Sequence, residues 1–77
     1  MYPQPSVVVV ETLAVPRGTL HWSLFRSGSE ESPRFFWRRD CSYSNAVTTS
    51  GPFTSEFQAL SRMRNDRGFF AEMWASA

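Results

Sequence analysis

The hydrophobic and polar positions fall into four β-type runs followed by one helical run. Val7 to Val15 is rich in β-branched residues and stops at Pro16-Arg17-Gly18, a turn signal. Strict alternation sets residues 7, 9, 13 and 15 on one side and 8, 10 and 14 on the other. Both sides are apolar, and a strand of that kind is usually covered on both. Thr19 to Ser27 alternates Leu20, Trp22 and Leu24 against His21, Ser23 and Phe25. Arg34 to Tyr43 alternates Phe35, Trp37, Arg39, Cys41 and Tyr43 against Phe36, Arg38, Asp40 and Ser42. The polar loop Gly28 to Pro33 between these two runs makes them a hairpin.

A register follows from the pattern. Setting Leu20 opposite Cys41, Trp22 opposite Arg39 and Leu24 opposite Trp37 gathers the strong apolar positions, except Phe25 and Phe36, on one face. The other face then pairs His21 with Asp40, Ser23 with Arg38 and Phe25 with Phe36. Cross-strand pairs of this type contribute roughly 0.2–1 kcal/mol each. A slip of one residue would turn every side chain to the wrong side.

A short fourth strand is expected through Ala46-Val47-Thr48-Thr49, and then a turn into a helix at Gly51-Pro52-Phe53-Thr54-Ser55-Glu56. Thr54 or Ser55 can cap that helix, and Ser55 with Gln58 fits a capping box. The helix is predicted to run to about Asp66, with Phe57, Leu60 and Met63 on its apolar stripe and Gly68 ending it. Phe69 to Trp74 fits either a short helix or a closing strand. The expected architecture is α+β, a small antiparallel β-sheet of three to four strands with a C-terminal helix packed on one face. Its predicted core is Leu20, Trp22, Leu24, Phe35, Trp37, Phe57, Leu60 and Met63.

The run Gly51 to Leu60 resembles the strand-to-helix junction of small sheet-and-helix domains such as SPOR and YegP-like modules. That resemblance covers about ten residues, implies a helix entry and brings no function with it.

Seventy-seven residues make a single domain, 1–77, with residues 1–6 as an extended lead-in. A core of this size yields only about 3–5 kcal/mol without a disulfide, a metal or a partner subunit. The lone Cys41 and lone His21 exclude an intrachain disulfide and the usual zinc ligand sets. Dense aromatic packing or self-association remains, and aromatic residues make up 16% of the chain.

Net charge is +1, with eight arginines and no lysine. Arginine-favouring codons account for that bias, yet the guanidinium still offers planar donors for carboxylates and phosphates. No stretch approaches the roughly 20 apolar residues that span a bilayer. The N-terminus lacks the basic start of a signal peptide, and a lone cysteine suits a reducing compartment, so a cytoplasmic protein is expected.

No catalytic constellation, cofactor or metal is expected. His21, Ser23 and Asp40 share a face, but an open sheet surface offers neither an oxyanion hole nor a dry pocket. Cys41 is expected as a packed small hydrophobe. The candidate contact surface is Phe25, Phe36, Arg38, His21 and Asp40, since exposed aromatics beside arginine mark interaction sites. Its occupant is expected to be another protein or a second copy, in a homodimer; the alternative is self-burial under the segment Phe69–Trp74. The chain is also similar in size and character to phage or mobile-element accessory proteins, anti-CRISPR inhibitors among them. A nucleic-acid-binding module is the second reading, using the sheet aromatics for stacking and Arg62, Arg64 and Arg67 as a further contact cluster.

Overall fold

The computed structural model describes residues 5–75. Residues 1–4 of the expected lead-in lie outside them; Pro5 precedes the sheet and Ser6 already belongs to it. Four strands, β1 (Ser6–Val15), β2 (Gly18–Gly28), β3 (Pro33–Cys41) and β4 (Val47–Phe53), precede one helix, α1 (Glu56–Ala75). The strands form one antiparallel sheet in sequence order, β1-β2-β3-β4, and α1 packs on one face of it. The α+β architecture expected from the periodicity is the observed one.

The β2–β3 register is the predicted one: Leu20 pairs with Cys41, Trp22 with Arg39, Leu24 with Trp37 and Phe25 with Phe36. Leu20, Trp22, Leu24, Phe35 and Trp37 therefore point to the helix side and form the core with Ala59 and Met63. Burying such side chains stabilises a fold by roughly 1.5–3 kcal/mol each.

Three expectations are corrected. Strict alternation fails in β1, where a bulge between Val7 and Val9 changes the phase. Val7 pairs with Phe25 on the outer face, while Val9 pairs with Leu24 and packs against the core. The fourth strand extends through Gly51 instead of turning there, with a second irregularity opposite Phe35 and Trp37. Gly51 makes this passage feasible: its φ is 130°, and a Cβ would sit 2.8 Å from the Phe35 carbonyl oxygen.

The helix is the third correction. Ser55 caps it as expected, its Oγ accepting from the Gln58 N–H at 3.3 Å, but α1 continues through Gly68 to Ala75. The segment Phe69–Trp74 is thus helix on the core face and does not fold over the other face of the sheet. A helical glycine costs about 1 kcal/mol relative to alanine. The contacts of Phe70 beyond it, on Trp22 and Arg39, outweigh that cost. The buried stripe is also rotated from the predicted one: Ala59 and Met63 are buried, Leu60 is half-buried and Phe57 is 81% exposed. The small Ala59 lets the helix approach the tryptophan-rich sheet closely, which Phe57 at that contact would prevent.

A Cβ at Gly68 would meet nothing within 4 Å. Gly68→Ala is therefore expected to stabilise the protein by about 0.5–1 kcal/mol, read as a rise in the urea midpoint at unchanged slope.

Polar contacts fasten α1 to the sheet. The Trp22 indole N–H donates to Asp66 Oδ2 at 2.9 Å, and Arg39 Nη1 donates to the same oxygen at 2.6 Å. Arg39 also reaches Thr48 Oγ1 at 3.0 Å and lies 4.5 Å from the centre of the Phe70 ring. At the β1 side, Arg64 pairs with Glu11 at 3.2 Å, and Arg67 Nε and Nη2 donate to the Thr12 carbonyl at 3.2 and 3.0 Å. That carbonyl belongs to the sheet's open border. The Ser42 N–H bonds to the Thr19 carbonyl, so Thr19 directs its backbone groups toward β3. Backbone groups alternate along a strand, so Leu20, Trp22 and Leu24 direct theirs toward β1, where they meet Leu13, Glu11 and Val9. Thr12, lying between Glu11 and Leu13, points its own outward.

Candidate functional site

The register of all three strand pairs defines the face that α1 leaves bare. Directly paired residues share a face, so three rows cross the sheet. The first is Val7, Phe25 and Phe36; the second is Val10, Ser23, Arg38 and Thr49; the third is Thr12, His21, Asp40 and Val47. Ser27 and Arg34 pair beyond the first row. Val7, Val10 and Val47 are each more than half exposed, whereas Phe25 and Phe36 are half-buried. The two rings, with Pro5, Trp37, Arg38 and Thr49, line an open concavity of about 400 Å³.

The five predicted contact residues thus lie together on one face. The expected His21–Asp40 register pairing is present, but the side-chain bond of Asp40 goes to another residue. Asp40 stands opposite His21, but its carboxylate accepts from Arg38 Nε at 3.0 Å, two residues along its own strand. Both groups of that ion pair retain solvent contact, so it orients the Arg38 side chain and adds little stability. Asp40 is therefore engaged by arginine and does not orient His21, which is exposed on an open surface.

The helix arginines separate. Arg64 and Arg67 are tied to β1 by the bonds described above, and Arg62 is exposed. Of the three side chains read as a phosphate-contact cluster, two fasten the fold. On the bare face itself, Arg34 and Arg38 stand against one carboxylate, that of Asp40. Such a balance is weak for a polyanion partner, which is held chiefly by neutralising its phosphates.

Cys41 is half-buried against the core, as a small hydrophobe would be. The Tyr43 phenol nearby is held above its ordinary pKa, first by desolvation and then by hydrogen bonding with and the charge of Cys41. No group of three or more His, Cys, Asp or Glu side chains comes together among the described residues. No helix among them is long and apolar enough to cross a membrane.

Sequence reasoning missed Val7, Val10, Thr12, Val47 and Thr49 as members of the face. Pairing β1 with β2 through the turn at Pro16-Arg17 would have placed Val10 and Thr12 there. Val7 joins them only through the bulge, which has no signature in a run of four valines.

Comparison of the chain with protein-family models, with curated protein sequences and with solved structures returned no match.

Proposed function

We propose that this protein is a non-enzymatic docking module that binds another protein through the bare face of its sheet. The observation behind the reading is that Val7, Val10 and Val47 remain 55–59% exposed beside Phe25 and Phe36, because the helix occupies only the opposite face. Clustered apolar side chains on one surface of a small domain mark an interaction site. Arg38, steadied by Asp40, and His21 supply the polar contacts that fix orientation. Aromatic and arginine side chains dominate the energetics of such contacts. A module of this kind acts by occupying its partner, as a stoichiometric inhibitor does. The reading includes a cytoplasmic setting, since the single half-buried thiol requires no oxidising compartment.

Affinity capture from host extract tests the reading. The wild-type chain is expected to retain a protein through nuclease treatment, and Phe25→Ser/Phe36→Ser is expected to release it while keeping the native circular dichroism and melting transition. The loss should be roughly 30-fold or more in affinity, the effect of removing a binding hot spot. Capture abolished by nuclease would replace this reading with the nucleic-acid one. Unfolding of the double variant would show that the two rings are core.

A further inference from the structure

We propose that the bare face takes a second copy of the same chain, related by a two-fold axis that runs along the strands between β2 and β3. The proposal rests on the reading of that face as a protein-docking surface and names its occupant.

The first argument is area. Strands lie about 4.8 Å apart and rise about 3.3 Å per residue, so four strands over nine residues present a flat footprint of about 19 by about 30 Å. That is roughly 570 Å² per copy before side-chain relief is counted, near the lower bound of about 600 Å² per partner for a specific interface. The molecule has the matching shape, with principal extents of 45 × 22 × 15 Å. Its shortest dimension holds one sheet and one helix, and face-to-face pairing would give a helix–sheet–sheet–helix sandwich with the two sheets about 10 Å apart.

The second argument is complementarity. An isologous contact requires a surface that matches itself after rotation. Rotation about an axis between β2 and β3 exchanges the two strands, so each residue meets the register partner of its own position in the other copy. The observed register then sets Phe25 over Phe36, Ser23 over Arg38, His21 over Asp40 and Ser27 over Arg34. Rings meet rings, imidazole meets carboxylate, and both arginines meet serine hydroxyls. On the outer strands, Val10 meets Thr49 and Thr12 meets Val47. No like charges coincide. An axis across the strands through the phenylalanine row would set Arg34 against Arg38, and one through the next row would set Arg38 against itself.

Sedimentation velocity and light scattering from micromolar to millimolar chain concentration provide the test. The expected result is a species of twice the 8.8 kDa chain mass. Phe25→Glu should convert it to a folded monomer, with a dissociation constant raised roughly 30-fold or more. Val10→Glu, at a position 59% exposed, takes its place where the first variant fails to fold. Isotope-filtered NMR on a mixture of labelled and unlabelled chains should show contacts between the Phe25 ring of one copy and the Phe36 ring of the other. A wild-type chain that stays monomeric throughout overturns the proposal, as does a dimer indifferent to both glutamate variants or one with contacts through Phe69 on the helix. If the monomeric chain still captures a nuclease-resistant protein that Phe25→Ser/Phe36→Ser releases, only the second copy is excluded and the docking surface stands. If the serine variant unfolds, Val10→Glu decides for both readings: loss of the dimer and of capture supports them, and retention of both overturns them.

Discussion

Trp22→Ala is expected to leave the chain largely unfolded at room temperature, with helical circular dichroism lost and no cooperative urea transition. Trp22 is fully buried at the centre of the sheet, with Leu20 and Leu24 two residues away on the same face. Its ring lies 6.2 Å from that of Phe70, and its N–H is bonded to Asp66. Truncating a buried tryptophan costs about 3–5 kcal/mol through lost transfer energy and the cavity left behind. A domain of this size holds about 3–5 kcal/mol in all, so one substitution removes most of the margin. Trp22→Phe keeps much of the volume but leaves Asp66 without the indole donor, so it should retain a cooperative transition with a lowered urea midpoint. A Trp22→Ala protein with a near-native transition would show that the core is divided differently.

Asp66→Ala is expected to cost about 2–3 kcal/mol, read as a lowered urea midpoint at unchanged slope. One carboxylate oxygen accepts from both the Trp22 indole and the Arg39 guanidinium. Removing it leaves a buried N–H unpaired and strands a cation that the fold has partly desolvated. The side chains of Arg39 and Asp66 keep 19% and 22% exposure, so the cost falls below that of breaking a fully buried pair, about 3–5 kcal/mol. Arg39 also retains Thr48 and the Phe70 ring, which limits the damage. Asp66→Asn keeps an acceptor for the indole and loses the charge, so it should recover part of the loss. An alanine variant as stable as wild type would mean that the helix is held by apolar contact alone.

The hairpin of β2 and β3 was legible in the sequence because both strands alternate cleanly and only one register puts their apolar residues together. Phe25 and Phe36 broke that pattern together, and their placement outside the core followed from the same register. The phase of the helix was not legible. Phe57, Leu60 and Met63 form as plausible a stripe as Ala59, Met63 and Phe70, and the choice depends on how closely the helix must approach Trp22 and Trp37. Gly68 reads locally as a terminator, and only the distant contacts of Phe70 override it. The Asp66–Arg39–Trp22 contact joins residues as far as 44 positions apart, so no local pattern could announce it. The face itself was half legible: its β2 and β3 members followed from the hairpin register, its β1 and β4 members required the pairing of the two outer strands, and among them Val7 depended on a strand irregularity.

The grip of Arg67 on the outward carbonyl of Thr12 bears on how this chain avoids fibre growth. A valine-rich border strand with free backbone groups is a template onto which further strands add end to end without limit. By spending one side chain of its own helix on that border, the protein interrupts the template midway along its length. Association is thereby steered from the rim of the sheet to its broad side, where assembly closes after one encounter instead of propagating.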